Sequence, residues 1–237
     1  MTAEPDRASA REPADGRPSE RQLTVAVIGA GAPGRSLALG AARAGFRVLL
    51  EDVLPSNLRR AREFLSSELD AKMESGGKKK KAEDALHPRT ETDRTLTSED
   101  RSQSATRASA PEELVPVVFV SSIEDAVRPA ALVIDCVPDE LESKLEILWL
   151  LDRMAPPHAV FATPTQTLSI ADLAACTYRP DKCVAIAAEP RNLGNLGKSA
   201  GAEVELRTTP ATSRETLALL ERFWRALGCH PVFRLQA

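Results

Sequence analysis

The segment V-I-G-A-G-A-P-G, Val27 to Gly34, constrains the fold of this chain more than any other stretch. Its glycines Gly29, Gly31 and Gly34 stand in G-x-G-x-x-G spacing. A short β-branched run, Leu23 to Ile28, precedes them, and an Ala- and Leu-rich stretch, Ser36 to Ala44, follows and stops at Gly45. A strand, a tight glycine turn and a helix are the reading. Each glycine has a physical task. Gly29 permits the turn, Gly31 leaves no side chain so that backbone can approach a pyrophosphate, and Gly34 lets the helix pack against the strand. The N–H groups of the first helical turn, Ala32 among them, and the positive end of the helix dipole then face the phosphates. Pro33 offers no N–H, but its fixed φ suits that turn.

Asp52 follows the next strand, Arg47 to Glu51, and lies 23 residues beyond Gly29. A carboxylate there accepts hydrogen bonds from ribose hydroxyls and repels a 2′-phosphate, so NAD is expected in preference to NADP. Glu51 shares the position, while Arg59 and Arg60 one turn later argue for NADP. The plainer alternative is a glycine-rich turn with no ligand.

Beyond this unit, strands and helices alternate. A charged amphipathic helix is expected from Pro55 to about Lys72, with Leu58, Ala61, Phe64, Leu65 and Leu69 on one face. Strands are expected at Val117–Val120, Ala131–Val137, Ala159–Ala162, Cys183–Ala187, Glu203–Arg207 and Pro231–Phe233. Helices are expected at Ile123–Val127, Glu140–Met154, Ser169–Ala175 and Ser213–Leu227. Such alternation implies right-handed βαβ units, hence an α/β fold of the Rossmann type: a doubly wound, mainly parallel sheet with helices on both faces. Met1 to Arg21 and Ser75 to Glu113 are poor in large apolar residues and are expected to be a disordered tail and a disordered insertion. The tetralysine run Lys78 to Lys81 reads as solvated linker charge. The folded domain is thus 22–237, interrupted at 75–113.

Composition excludes several classes of function. Net charge is -3, which gives no general attraction to nucleic acid or an anionic membrane. No apolar run approaches the roughly 20 residues of a membrane span. With Glu4, Asp6, Glu12 and Asp15 and no apolar core, the N-terminus reads as neither signal nor transit peptide, so a cytoplasmic location is expected. Cys136, Cys176, Cys183 and Cys229 form no C-x-x-C pair, and His87, His158 and His230 do not cluster with them. Buried reduced thiols are expected, and no metal site. One Tyr and two Trp are too few for an aromatic platform on nucleic acid.

The residues also resemble a known family. V-A-V-I-G-A-G-A-P-G-R-S-L-A-L-G-A-A-R-A-G-F-R-V-L-L-E-D is similar to the opening of the 3-hydroxyacyl-CoA dehydrogenases. The resemblance continues through Leu132–Lys144, Ala155–Ile170, Arg179–Val184 and Ala226–Val232. It implies an NAD-binding Rossmann domain, followed in the family by a helical domain that forms the dimer and one wall of the acyl-CoA cleft. That second domain has no counterpart before Ala237, so a monomer or weak dimer is expected. The resemblance also implies that Val137 and Asp139 border the cofactor, with Asp139 near the nicotinamide ribose, and that Lys144 assists cofactor or substrate. A solvated helix start and a surface lysine are the plain alternatives for the last two.

The departures matter as much as the matches. Where the family has T-N-T-S-S-L, this chain has Thr163 to Leu168, so Gln166 stands at the catalytic serine and Pro164 at the asparagine. Where the family has its acid/base histidine, this chain has Ala187. Glu205 matches the glutamate that orients that histidine, and Glu189 is the nearest carboxylate able to replace it as a base. His158 precedes its strand and is expected roughly 16 Å from the working edge. His230 also precedes its strand, and His87 lies in the insertion. Loss of an acid/base histidine alone typically costs about 10²- to 10⁴-fold. The expectation is an NAD(H)-binding protein with weak or no hydroxyacyl-CoA dehydrogenase activity. The alternative is an active NAD-dependent oxidoreductase on a 3-hydroxyacyl-CoA or a small hydroxy acid, and a third is an interaction scaffold.

Overall fold

The computed structural model describes residues 23–68, 116–188 and 201–236. The elements run β1 (Thr24–Ile28), α1 (Ala32–Arg43), β2 (Arg47–Glu51), α2 (55–68), β3 (Val117–Val120), α3 (Ile123–Val127) and β4 (Leu132–Asp135). They continue through α4 (Leu141–Met154), β5 (Val160–Pro164), α5 (Ile170–Ala175), a 3₁₀ turn (Pro180–Lys182), β6 (Cys183–Ile186), β7 (Glu203–Thr208), α6 (Arg214–Ala226) and β8 (His230–Leu235). The expected tail, the insertion, Leu69 and Glu189 fall outside the described residues. None of the described helices is long and apolar enough to cross a membrane.

All eight strands form one sheet in the order β3-β2-β1-β4-β5-β6-β7-β8. Neighbours are parallel except β6 and β7, which run antiparallel with Ala185 opposite Arg207. The expected mainly parallel sheet is present, and β7 is its exception. A strand's own residue pattern has the same period in either direction, so that reversal is not written in β7. Strand order turns back between β1 and β4, which opens a crevice above their carboxyl ends.

Strand β4, an apolar L-V-I run closed by Asp135, is buried along its whole length because both faces of the sheet are covered. One face packs Val25, Val27, Leu50, Ile134 and Val184 against α1 and α6. There Phe223 meets Phe46 and Trp224 with ring centres 5.3 and 5.1 Å apart. The other face packs Ala26, Ile28, Val133, Phe161 and Ala185 against α3, α4 and α5. Ser122, Ser169 and Ser213 cap their helices, accepting the N–H of Asp125, Asp172 and Thr216.

Several boundaries shift from the sequence reading. Helix α1 begins at Ala32, four residues before Ser36, because Pro33 is tolerated in its first turn. Strand β4 is confined to Leu132–Asp135, and β6 ends at Ile186. Strand β5 continues through Thr163 and Pro164, since Pro164 pairs with Ile186 only as a register partner and its missing N–H is tolerated at the strand end. Strand β8 is twice the expected length, and His230 is its first residue. The ladder with β7 carries β8 outward to Leu235.

Candidate functional site

The glycine turn is built as the spacing predicts. Gly29 has φ +99°, a conformation that L side chains avoid, and its N–H donates to the Glu51 carbonyl at 2.8 Å. Gly31 is the extended N-cap of α1, and the first intrahelical bond runs from the Arg35 N–H to the Gly31 carbonyl at 3.0 Å. A Cβ on Gly34 would lie 1.8 Å from the Gly29 carbonyl oxygen, so only glycine lets α1 sit this close to β1. A Cβ on Gly31 would meet nothing nearer than Pro33 Cδ at 3.7 Å. The missing side chain at Gly31 therefore opens a cradle at the helix start and relieves no internal crowding. A dinucleotide phosphate fits that cradle in charge and in space.

Asp52 follows β2 and is 8% exposed. Its carboxylate accepts the N–H of Ala30 and of Leu54, each at 2.8 Å, and the Asn57 side-chain amide at 3.0 Å. Those bonds fix an anion at the rim of the crevice, beside the glycine turn, where a ribose would meet it. Glu51, on the opposite face of the strand, is buried, and its carboxyl is pushed up to about 7 by burial and then by the Asp52 charge.

Across the crevice, the carboxyl end of β4 holds a buried ion pair. Lys144 Nζ lies 2.5 Å from Asp135 Oδ1, with side chains 0% and 2% exposed. The surface alternative for Lys144 is thereby corrected: α4 drops it onto the end of β4, and Asp135 neutralises it. Asp135 escaped the sequence reading, although an acidic residue closing an apolar strand is a usable signal. Val137 and Cys136 are half-buried beside them. The Cys136 thiol is pushed up to about 12 by burial first and by Asp135 second, against Lys144, so it is an inert thiol at neutral pH. Among the described residues no cluster of three or more His, Cys, Asp or Glu side chains is arranged for a metal.

Asp139 Oδ2 accepts the backbone N–H of Gln166 at 3.0 Å, while its Oδ1 is buried with no hydrogen-bond partner among the described residues. The solvated-helix-start reading of Asp139 is thus replaced by a tie from the β4–α4 turn to the β5–α5 turn. That second turn is further set by Thr165, whose N–H donates to the Ile186 carbonyl at 3.0 Å and whose Oγ1 accepts the Leu168 N–H at 3.1 Å. Gln166 itself is exposed. Thr163 Oγ1 is buried below it with no hydrogen-bond partner among the described residues.

Ala187 follows β6, and its N–H donates to the Glu205 carbonyl at 2.9 Å, so the residues matched to the family's histidine and orienting glutamate are neighbours. With Ala187 in place of an imidazole, the Glu205 side chain is engaged by two arginines. Arg207 Nε donates to its Oε1 at 3.1 Å, and Arg234 Nε lies 3.4 Å from its Oε2. Arg207 Nη1 also donates to the Gln166 carbonyl at 2.8 Å. The Gln166 peptide is thus held at both ends, by Asp139 and by Arg207. Neither arginine was singled out from the sequence. The i, i+2 spacing of Glu205 and Arg207 on a strand was a readable signal, but the approach of Arg234 depends on β7–β8 register. His158 is exposed in the turn before β5, at the far edge of the sheet from Gln166.

Comparison with known proteins matches this architecture. The family model "3-hydroxyacyl-CoA dehydrogenase, NAD binding domain" matches residues 24–100 and 78–236. The mitochondrial hydroxyacyl-coenzyme A dehydrogenase of Sus scrofa is 30% identical over 209 residues, covering 88% of this chain and 57% of that protein. A probable 3-hydroxybutyryl-CoA dehydrogenase of Bacillus subtilis is 28% identical over 68% of this chain and 46% of its own length. The crystal structure of 3-hydroxybutyryl-CoA dehydrogenase from Escherichia coli K12 superposes with a TM-score of 0.67 at 24% identity, over 90% of this chain and 38% of that one. The chain therefore spans about half the length of the relatives it matches. With its glycine turn, its acidic β2 end and its strand order, the chain belongs to the 3-hydroxyacyl-CoA dehydrogenase family, as the NAD-binding domain of that family.

Proposed function

We propose that this chain binds NAD(H) across the carboxyl edge of β1, β2 and β4, and turns over 3-hydroxyacyl-CoA weakly or not at all. Gly29, Gly31, Ala32 and Gly34 would hold the pyrophosphate, with Pro33 shaping the turn, and Asp52 the adenosine ribose. Val137 and Asp139 would border the nicotinamide half, whereas Lys144, expected beside it, is buried against Asp135 and would act only by neutralising that carboxylate. When bound, NAD supplies a hydride acceptor, and Asp52 disfavours the 2′-phosphate of NADP by charge.

One observation carries the reading: beside Ala187, Glu205 is engaged by Arg207 and Arg234, so the expected orienting carboxylate serves two arginines and no imidazole. A guanidinium stays protonated at every working pH and cannot take the proton of an alcohol. The cofactor cradle beside it has every residue that the glycine pattern needs.

An NADH titration followed by fluorescence tests the binding, with Gly31→Asp as control. Saturation in the native chain and none in the variant is the expected result; no saturation at millimolar NADH in the native chain overturns the proposal. Acetoacetyl-CoA-dependent NADH oxidation is expected at least about 10²-fold below that of an intact relative. Cytoplasmic residence and a monomeric or weakly dimeric state belong to the same proposal, and gel filtration of the chain tests the second.

A further inference from the structure

Beside Ala187 the sheet gathers two guanidiniums around one carboxylate. Glu205 and Arg207 stand two apart on β7 and share its face, and Arg234 of β8 is the register partner of Arg207. Arg207 and Glu205 are half-buried, with side chains 24% and 35% exposed, and Arg234 is open at 62%. Arg207 uses Nε on Glu205 and Nη1 on the Gln166 carbonyl. Its Nη2, and both Nη groups of Arg234, have no acceptor among the described residues. Two positive charges against one negative leave one in excess. Glu203, next along this face, is exposed and makes no ion pair with either arginine among the described residues. Through Gln166 the cluster is one peptide away from Asp139, on the rim of the crevice.

We propose that Arg207 and Arg234 form a binding site for the carboxylate of a free hydroxy or oxo acid lying beside Gln166 and Ala187. The inference rests on the cofactor reading above and names its substrate class: a free acid in place of a thioester. A planar carboxylate takes two parallel N–H donors from a guanidinium fork, which a neutral thioester cannot do. The three paired side chains carry one excess positive charge, and Asp139 beyond Gln166 offsets it, so a monoanion is better matched than a dianion. A phosphate dianion would also meet the repulsion of Glu205 and Asp139.

Calorimetric titration of the chain with acetoacetate and with methyl acetoacetate isolates the carboxylate, since the two ligands differ only there. Acetoacetate is expected to bind, and the ester about tenfold more weakly or worse. Arg234→Gln and Arg207→Gln are each expected to weaken acetoacetate by about tenfold or more, and Glu205→Gln to tighten it. Arg207 also holds the Gln166 turn, so the exposed Arg234 variant keeps the test readable if Arg207→Gln fails to fold. Equal affinity for acid and ester, no binding of the acid, an unchanged affinity in Arg234→Gln, or tighter binding of inorganic phosphate than of acetoacetate would each overturn the site. The NADH titration of the same samples separates the two proposals. Acid binding without NADH binding keeps the anion site and removes the cofactor reading, and the reverse removes the anion site alone.

Discussion

The carbonyl oxygen of Gly29 lies 1.8 Å from where a Cβ on Gly34 would stand, whereas a Cβ on Gly31, three residues earlier, would stand in nearly open space. One glycine of the turn is thus needed by the fold, while the other leaves the space that the proposed dinucleotide would use, and the two tasks separate experimentally. Gly34→Ala must push α1 off β1 and is expected to cost about 3 kcal/mol, the upper range for overpacking, read from the urea midpoint. Gly31→Asp, at φ -61°, is expected to leave the urea midpoint within about 0.5 kcal/mol while abolishing NADH binding. Equal destabilisation by both would refute the division.

The Asp135–Lys144 pair is sealed from water, so removing one member strands the other charge. Lys144→Met is expected to destabilise by about 3–5 kcal/mol. The double variant Lys144→Met, Asp135→Leu should regain most of that loss, because no unpaired charge then remains. Chemical denaturation of the two variants decides the matter, and a double variant as unstable as the single one would show that the pair does more than neutralise itself.

Glu51 makes stability depend on pH. Its carboxyl rises from 4.5 to about 7 on folding, through burial and then the Asp52 charge. The folded state therefore holds a proton that the unfolded state releases, and unfolding becomes easier as pH rises from about 4.5 to about 7. That term is worth up to about 3 kcal/mol and is fully lost above the upper value. Glu51→Gln is expected to flatten this part of the pH profile and to be the more stable protein at pH 8. Urea midpoints at pH 5 and pH 8 for both proteins suffice, and an unchanged slope in the variant would count against the assignment.

Arg179 fastens three parts of the chain. Its Nε donates to Asp152 Oδ1 at 2.6 Å, Nη1 to the Pro156 carbonyl at 2.6 Å and Nη2 to the Asp152 carbonyl at 2.8 Å, with the guanidinium 5.3 Å from the Phe161 ring centre. A lysine ammonium cannot span those acceptors from one plane. Arg179→Lys is expected to cost about 2–4 kcal/mol, several charge-assisted bonds being lost together, and thermal melting should show it directly. A Tm shift under about 2 °C would place the fastening elsewhere.

Much of the molecule was legible in its residues. The spacing of Gly29, Gly31 and Gly34 between a β-branched run and an alanine-rich one determines the strand, the turn and the helix, because local sterics leave few other choices. The helices expected at Ile123–Val127, Ser169–Ala175 and Ser213–Leu227 stand within a residue or two of those bounds, and Ser122, Ser169 and Ser213 satisfy amides in their first turns. The expectation that Gln166 and Ala187 stand where the family has its serine and histidine came the same way, since it needs only the residue types in order.

What only the tertiary structure decided are relationships between distant segments. The burial of Lys144 depends on α4 crossing the end of β4, and the raised Glu51 carboxyl depends on the cover given by neighbouring elements. The reversal of β7 is invisible in a pattern that reads the same in both directions, yet it sets Arg207 opposite Ala185 and Glu205 beside Ala187. The register of β8 then brings Arg234 to Glu205. Short-range patterns encode conformation, because they act through the backbone's own sterics and hydrogen bonds. Charge pairing across strands depends on how the sheet is assembled, and that is settled by the whole core at once.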